Sequence, residues 1–273
     1  GLTLDRPLLM GIVNVTPDSF SDGGAHFDTG RAIEHGVDLL AEGADILDIG
    51  GESTRPGHAP VDAATEIGRV VPAIRAIRAA IPTMPISIDT TKRAVAEAAL
   101  DAGADLLNDV TGTAPGAELP GLAAARGVPL VLMHGRRAAP FRDVVAEVIE
   151  DLARALAAAE AAGCDPASLV ADPGIGFGKT VEENLALLRD LHRLRALGRP
   201  ILLGTSRKST IGRVLGLPPD ERLEGTLATT ALGVASGVDI VRVHDVAANV
   251  RAARMADAVV RGWTDPEVAP SPP

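Results

Sequence analysis

The chain has 273 residues, of which 46% are hydrophobic and 2% aromatic, and its formal net charge is −10. An acidic chain with no tyrosine is poorly suited to nucleic acid, because that binding depends on cations at phosphates and on stacked aromatic rings. The single cysteine, Cys164, excludes an internal disulfide, and the lack of a signal-peptide pattern or a long apolar run predicts a cytoplasmic protein without a membrane partner.

Apolar runs of strand length alternate with segments of helical period along most of the chain. The predicted strands are Leu8–Val15, Asp45–Ile49, Ile86–Asp89, Asp105–Val110, Leu130–Met133, Leu169–Asp172, Ile201–Gly204 and Asp239–Val243. The predicted helices are Arg31–Ala41, Ala63–Ala80, Lys92–Ala102, Gly121–Arg126, Val144–Ala162, Glu182–Leu197, Gly225–Ala235 and Ala247–Val260. This alternation predicts an α/β protein, a single-domain (β/α)8 TIM barrel over residues 1–262. Residues 263–273 are Pro-rich and are predicted to be disordered.

Recurring strand entries favour the barrel over an open, doubly wound sheet. The even strands follow a helix end with glycine, at Gly43, Gly103, Gly163 and Gly237. The odd strands follow a proline, at Pro7, Pro85, Pro129 and Pro200. This alternation indicates βα units added in pairs. An open sheet would usually carry a dinucleotide-type glycine turn after its first strand, and none is present here.

Each predicted strand has polar residues at or just past its carboxyl end. They are Asn14, Asp48 with Glu52, Asp89, Asn108 with Asp109, His134, Asp172, Ser206 with Arg207 and Lys208, and Arg242 with His244. Since the strand ends of a barrel form one rim, we expect these residues to converge on one mouth. A single Asp or Asn in such a place more often caps a helix, but eight ends together favour a site.

Two glycine-rich segments, Gly50–Gly57 and Asp172–Lys179, follow the second and sixth strands, and a Pro- and Ser-rich segment after the first strand is predicted to be a mobile functional loop. Asp172–Lys179 nearly matches a phosphate-binding loop. Pro173 stands where that motif needs its first glycine, so a nucleoside triphosphate site is rejected.

The polar residues form two chemical groups. Carboxylates, an amide and an ammonium can satisfy a flat heterocycle that carries N–H donors and carbonyl acceptors, and these are Asp89, Asn108, Asp172 and Lys208. Asn14, Arg242 and His244, on strands one and eight, suit a diphosphate with its metal, and Arg55 can reach that region. For Lys208 and His244 the alternatives are a solvated lysine and a satisfied turn histidine.

Seven segments resemble the motifs of the dihydropteroate synthase family, in the family's order along the chain. They are Gly11–Gly24, Asp48–Gly57, Ser87–Thr90, Asn108–Gly112, Asp172–Lys179, Ser206–Ser209 and Arg242–Asp245. The first two and Ser206–Ser209 are the most specific. The resemblance covers the chain to about Gly262.

The resemblance implies a folate-pathway transferase that joins a dihydropterin diphosphate to p-aminobenzoate, giving 7,8-dihydropteroate and pyrophosphate with Mg2+. It implies pterin contacts from Asp89, Asn108, Met133, Asp172 and Lys208. It implies diphosphate contacts from Asn14, Arg55, Arg242 and His244, with Asn14 also at the metal. It implies that p-aminobenzoate and sulfonamide inhibitors meet Phe20, Thr54, Arg55, Pro56, Phe177, Lys208 and Ser209.

Catalysis then falls to Asp172, Lys208, Arg242 and His244, because charge must be stabilised on the leaving diphosphate and on the pterin. The resemblance also implies a homodimer. One departure is the segment Leu132–Pro140, which is shorter and more basic than the family's.

Two alternatives are a pterin-binding methyltransferase barrel that serves a corrinoid protein and an inactive paralogue. The motif Ser206–Ser209 and the loop with Thr54, Arg55 and Pro56 argue against the first. Asn14, Arg55 and His244 argue against the second.

Overall fold

The structure is a computed structural model, and it describes residues 3–15, 29–52, 60–114, 116–135 and 141–263. Its central feature is one sheet of eight parallel strands. The strands are β1 Leu8–Asn14, β2 Ile46–Gly50, β3 Ile86–Asp89, β4 Leu106–Asp109, β5 Leu130–Met133, β6 Leu169–Asp172, β7 Leu202–Leu203 and β8 Ile240–Val243. Each predicted strand is therefore present, and its ends either coincide with the prediction or differ from it by one residue.

The sheet closes on itself between β6 and β7. Hydrogen-bonded neighbours run in the order β6-β5-β4-β3-β2-β1-β8-β7. Ala171 of β6 forms a parallel bridge with Ile201, and its N–H donates to the carbonyl oxygen of Pro200 at 2.9 Å. The predicted barrel is confirmed, and the open doubly wound sheet is excluded because its two edges would remain unpaired.

Helices cover the outside of the barrel. Those within the described residues are α1 Thr29–Ala41, α2 Ala63–Ala80, α3 Arg93–Ala102, α4 Leu119–Arg126, α5 Val144–Ala161, α6 Val181–Arg189, α7 Ser209–Leu215, α8 Leu223–Ala235 and α9 Val246–Arg261. The seven-residue α7 was not predicted. Across the parts of the chain that the structure describes, no helix has the length and apolar character needed to cross a membrane.

One predicted helix, Glu182–Leu197, is divided in the structure. It is α-helical to Arg189 and then a 3-10 helix over Leu191–Leu197. Leucines recur at every third position of that second part, and Leu191 and Leu194 are buried. A repeat of three matches the 3-10 helix, which places such residues on one face.

Alternate strand residues point into the barrel, and their chemistry changes along the strands. The lower inward positions form a separate apolar cluster of Leu8, Met10, Ile46, Leu106, Val131, Leu202 and Ile240. A larger cluster joins the outward strand residues to the helices. Apolar side chains therefore fill the barrel at the amino-terminal ends of its strands, and the polar inward side chains lie together at the carboxyl-terminal ends.

Candidate active site

Arg242, on β8, lies at the centre of a buried polar cluster in the mouth of the barrel. Its Nε donates to Oδ2 of Asp48 at 2.6 Å, and its Nη2 donates to Oδ2 of Asp89 at 2.7 Å. Asn108 Nδ2 donates to the same oxygen of Asp48 at 3.1 Å. Side chains from β2, β3, β4 and β8 therefore meet although they are up to 194 residues apart in sequence.

Two buried carboxylates share one guanidinium in this cluster. Burial raises the pKa of Asp89 to about 7, although the charge of Arg242 lowers it. Burial by itself lowers the pKa of Arg242, but Asp48 and Asp89 hold it above its ordinary value. Among the described residues, Oδ1 of Asp48 and Oδ1 of Asp89 have no hydrogen-bond partner. Such buried acceptors are unfavourable alone, and a ligand with N–H donors would relieve them.

Asp172 ends β6, and Phe177 and Lys208 lie on the loops that follow β6 and β7. Oδ1 of Asp172 accepts the N–H of Gly174 at 2.7 Å, and burial raises the pKa of this carboxyl. Burial lowers the pKa of Lys208 to about 7, against the opposing charge of Asp172. The Lys208 Nζ lies 3.9 Å from the centre of the Phe177 ring. A cation, a carboxylate and an aromatic face are thus grouped together.

The ends of β7 and β8 are joined by His244 and Ser206. Nδ1 of His244 lies 2.9 Å from Oγ of Ser206, which also accepts the His244 backbone N–H at 3.2 Å. A single hydroxyl oxygen therefore contacts both the ring and the backbone of His244. Beside them Arg207 donates to both oxygens of Asp245, at 3.1 and 2.5 Å.

Asn14 and Met133 complete the described part of the mouth. Asn14 pairs with Gly50, which pairs in turn with Asp89, so all three lie in one row across β1, β2 and β3. A Cβ placed on Gly50 would lie 3.9 Å from Oδ1 of Asn14 and equally far from Oδ2 of Asp89. Glycine therefore leaves a space between an amide and a carboxylate. Met133 ends β5 beside Asp172.

Comparison with known proteins identifies the family. Residues 10–244 match the family described as pterin binding enzyme. The dihydropteroate synthase of Clostridium beijerinckii is 48% identical, over 94% of this chain and 96% of its own length. The chain belongs to the dihydropteroate synthases, within the pterin-binding enzyme family.

Solved structures of this family are similar in shape as well. Xanthomonas albilineans dihydropteroate synthase with 4-aminobenzoic acid is 49% identical with a TM-score of 0.89, and covers 94% of each chain. The same enzyme in complex with 7,8-dihydropteroate is 47% identical with a TM-score of 0.86, covering 94% of this chain and 95% of that one. These relatives are dihydropteroate synthases, enzymes of folate biosynthesis, so the methyltransferase alternative loses its support.

The structure brings together most of the residues predicted for a dihydropteroate synthase site. Asp89, Asn108, Asp172, Lys208 and Arg242 lie in one mouth with the other described ones: Asn14, Met133, Phe177, Ser209 and His244. Ser209 is the exposed first residue of α7. Four predicted residues lie outside the described residues: Phe20, Thr54, Arg55 and Pro56. The predicted C-terminal tail lies outside them as well, apart from Trp263.

Two polar strand ends do not face the mouth, so the expectation that all of them converge is wrong for these. Oδ1 of Asp109 accepts from the N–H and hydroxyl of Thr111, both at 2.8 Å. His134 Nε2 lies 2.9 Å from Oδ2 of Asp151 on α5, and burial lowers the pKa of this imidazole to about 4. Each directly follows an inward residue, Asn108 or Met133, and alternation turns it outward.

Asp48 was expected at the mouth but was given no role there, and Lys179 was not singled out as a site residue. Asp48 is fully buried and binds Arg242. Lys179 donates to the carbonyl oxygens of His134, Gly174 and Phe177 at 3.2, 3.0 and 3.1 Å, and so holds the loop that carries Phe177. The inward period of β2 marks Asp48 in the sequence, whereas no pattern marks Lys179.

The loop after β6 is folded too tightly for side chains at two of its positions. A Cβ on Gly174, whose φ is +66°, would lie 2.0 Å from the carbonyl oxygen of His134. A Cβ on Gly176, whose φ is +81°, would lie 3.0 Å from Cδ of Lys208. Glycine at both positions lets the loop fold back, so that Phe177 reaches Lys208.

Proposed function

We propose that this mouth joins a dihydropterin diphosphate to p-aminobenzoate in a transferase reaction that gives 7,8-dihydropteroate and pyrophosphate. The observation that carries the proposal is the buried group of Asp48, Asp89, Asn108 and Arg242, whose unpaired oxygens require N–H donors from a ligand. The similar Xanthomonas albilineans enzyme holds 4-aminobenzoic acid in one structure and 7,8-dihydropteroate in another.

The pterin ring would lie against Asp89, Asn108, Asp172 and Lys208. The carboxylates accept its ring and amino N–H groups, while the amide and the ammonium donate to its oxygen and nitrogen acceptors. The flat side of the ring would rest on Met133. When the carbon–oxygen bond to the diphosphate weakens, positive charge spreads into the ring. Asp89 and Asp172 would stabilise that charge, since they lie in a partly desolvated mouth.

The diphosphate would lie at the ends of β1 and β8, near Asn14, Arg242 and His244. Arg242 and the imidazole of His244 would supply donors for its oxygens. The carbon–oxygen bond breaks and pyrophosphate leaves, the amine nitrogen of p-aminobenzoate bonds to the pterin CH2 carbon, and the ammonium formed gives one proton to a pyrophosphate oxygen. These donors stabilise the charge that develops on the leaving oxygen.

Mg2+ is the cofactor that we propose for this end of the site. Within the described residues, no three His, Cys, Asp or Glu side chains are grouped as a metal cage. Mg2+ is commonly held by one or two protein oxygens with water and substrate phosphates, so the Asn14 amide oxygen beside the space at Gly50 fits it. When bound, the metal would neutralise charge on the diphosphate.

The p-aminobenzoate would lie above the pterin, against the ring of Phe177 and near Lys208 and Ser209. Sulfonamides would compete for the same place because they share the aromatic amine. Phe20, Thr54, Arg55 and Pro56 are proposed contacts of the same pocket.

A second copy of this chain is the proposed protein partner. Leu232 of α8 and Met255 and Val259 of α9 are 59%, 65% and 72% exposed. Large apolar side chains grouped on neighbouring helices favour an interface. Size-exclusion chromatography with light scattering measures the mass, and a monomer at micromolar concentration would contradict the homodimer.

Pyrophosphate release tests the proposed reaction. With Mg2+ present, we expect release only when dihydropterin diphosphate and p-aminobenzoate are both supplied, with dihydropteroate detected by mass. Chelation of the metal should stop it. If the protein is folded but shows no turnover that depends on p-aminobenzoate, it is an inactive paralogue.

A further inference from the structure

Arg242 is engaged at both ends of its guanidinium, but the two engagements differ. Nε, next to the aliphatic stem, bonds to Asp48 at 2.6 Å, while Nη2, at the tip, bonds to Asp89 at 2.7 Å. Asp48 is 0% exposed and Asp89 is 9% exposed. A ligand that enters the mouth therefore meets Asp89 first, and the contact between Nε and Asp48 lies deeper.

The contact with Asp89 occupies the cation that a diphosphate needs. While Nη2 is bonded to Asp89, that donor is not available to an anion at the end of β8. When Asp48 and Asp89 are both ionised, these two carboxylates and the one guanidinium carry a net charge of minus one. A diphosphate alone would thus meet a mouth whose central cation is already neutralised.

We propose that Asp48 is a positioning residue for Arg242. A pterin that binds Asp89 would displace the guanidinium tip of Arg242 from that carboxylate, and the tip would turn toward the diphosphate while Asp48 still holds Nε. This inference rests on the proposed function. A pterin brings its own N–H donors to Asp89, so the Nη2 bond becomes dispensable. The Nε bond to Asp48 persists, and Asn108 supports it by donating to the same Asp48 oxygen.

The pterin and the diphosphate, which are the two halves of one substrate, should therefore bind cooperatively. Pterin binding should strengthen diphosphate binding, and by thermodynamic reciprocity diphosphate should strengthen pterin binding by the same factor. Two separate molecules serve as probes of this coupling. One is a pterin without a diphosphate, and the other is pyrophosphate, both in a buffer that contains Mg2+.

Titration calorimetry measures the Kd of pyrophosphate with and without saturating pterin. In the unmodified protein we expect pterin to tighten pyrophosphate binding by about tenfold or more. Asp48→Asn keeps the size of the side chain but removes the charge that holds Nε, and we expect the coupling factor to fall toward one. Asp89→Asn should release the guanidinium tip, so that pyrophosphate binds more tightly without pterin than it does to the unmodified protein.

Asp109→Asn is the matched control for a buried carboxylate at a strand end. Asp109 is 1% exposed but faces away from the mouth and bonds to Thr111. It should leave the coupling factor unchanged. A coupling factor near one in the unmodified protein, or full coupling in a folded Asp48→Asn variant, would overturn the proposal.

If Asp48→Asn does not fold, the Asp89→Asn titration decides, and pyrophosphate affinity at or below that of the unmodified protein overturns the inference. Two further outcomes keep this inference separate from the proposed reaction. Normal turnover without coupling rejects the role of Asp48 alone. Coupling without turnover supports that role and rejects the reaction.

Discussion

Oγ of Ser206 lies 2.9 Å from Nδ1 of His244 and accepts the backbone N–H of the same histidine at 3.2 Å. One hydroxyl therefore fixes both the ring and the main chain of His244. Both contacts of the Ser206 hydroxyl go to His244, so in the proposed reaction Ser206 would act on the diphosphate through His244. We infer that Ser206 is a positioning residue in the Ser206–Ser209 motif, in which Lys208 and Ser209 are the proposed ligand contacts.

Ser206→Ala should lower kcat more than it raises either KM. Loss of a hydrogen bond worth about 1 to 1.5 kcal/mol corresponds to about a tenfold slower leaving step. Steady-state kinetics with each substrate varied in turn measures this split, and Ser206→Thr, which keeps the hydroxyl, should restore most of the rate. An unchanged kcat in Ser206→Ala would show that His244 needs no such support.

The pH dependence of turnover should report Lys208. Burial lowers the pKa of this ammonium to about 7, so it is charged below that pH and neutral above it. In the proposed site the charged form would donate to the pterin and be attracted by Asp172, so kcat/KM for the dihydropterin diphosphate should decline above about pH 7. In Lys208→Met this alkaline limb should disappear from the residual activity. An alkaline limb that survives the substitution would assign it to another group.

Much of this arrangement could be predicted from the sequence, because the patterns that encode it are local. Glycine and proline mark strand entries, apolar runs mark strands, and polar residues mark strand ends. Applied strictly, the two-residue period would also have turned Asp109 and His134 outward. The 3-10 helix at Leu191–Leu197 was missed because spacings of three and four were counted as one helical pattern.

The contacts inside the mouth could not be predicted in the same way. Asp48 and Arg242 lie on β2 and β8, which are not neighbours, so their 2.6 Å contact depends on the curvature and stagger of the closed barrel. Lys179 binds three carbonyl oxygens whose positions exist only after the loop has folded. Sequence patterns identify which residues point inward, but not which of them bond to one another.

Removal of the Asp89 charge should stabilise the unliganded protein while it prevents pterin binding. The pKa of Asp89 is about 7 in the fold and near 3.8 in its ordinary environment, so the folded state binds the proton more tightly. Stability therefore falls as the pH rises between these values, and the full penalty is present above pH 7. Asp89→Asn should raise the free energy of unfolding at about pH 8 by about 1 kcal/mol.

That gain should shrink toward about pH 5, where Asp89 of the unmodified protein is protonated. Thermal unfolding of both proteins at the two pH values measures it, and Asp101→Asn, in an exposed ion pair with Arg126, is the control. A lower Tm for Asp89→Asn than for the unmodified protein at the alkaline pH would contradict this prediction. It would mean that the bond from Arg242 to Asp89 stabilises the fold by more than burial of the Asp89 charge costs.

Lys92 connects three elements beside the mouth. Its Nζ donates to Oε2 of Glu66 on α2 at 2.6 Å and also to Glu52, which follows β2. Oε1 of Glu52 in turn accepts the N–H of Val61 at 3.4 Å. The cluster of Glu52, Glu66 and Lys92 therefore ties together the two points between which residues 53–59 run.

Lys92→Met should weaken the binding of p-aminobenzoate and leave the binding of the pterin unchanged. The reason is that residues 53–59 include Thr54, Arg55 and Pro56, the proposed contacts of p-aminobenzoate. We expect the KM of p-aminobenzoate to rise about tenfold, the equivalent of about 1.4 kcal/mol, while the KM of dihydropterin diphosphate stays nearly unchanged. Arg78→Met is the control, since Arg78 is similarly buried but bonds to Gly103 and Asp105 at the opposite end of α2. Equal changes in both KM values, or the same change in Arg78→Met, would reduce the role of Lys92 to general stability.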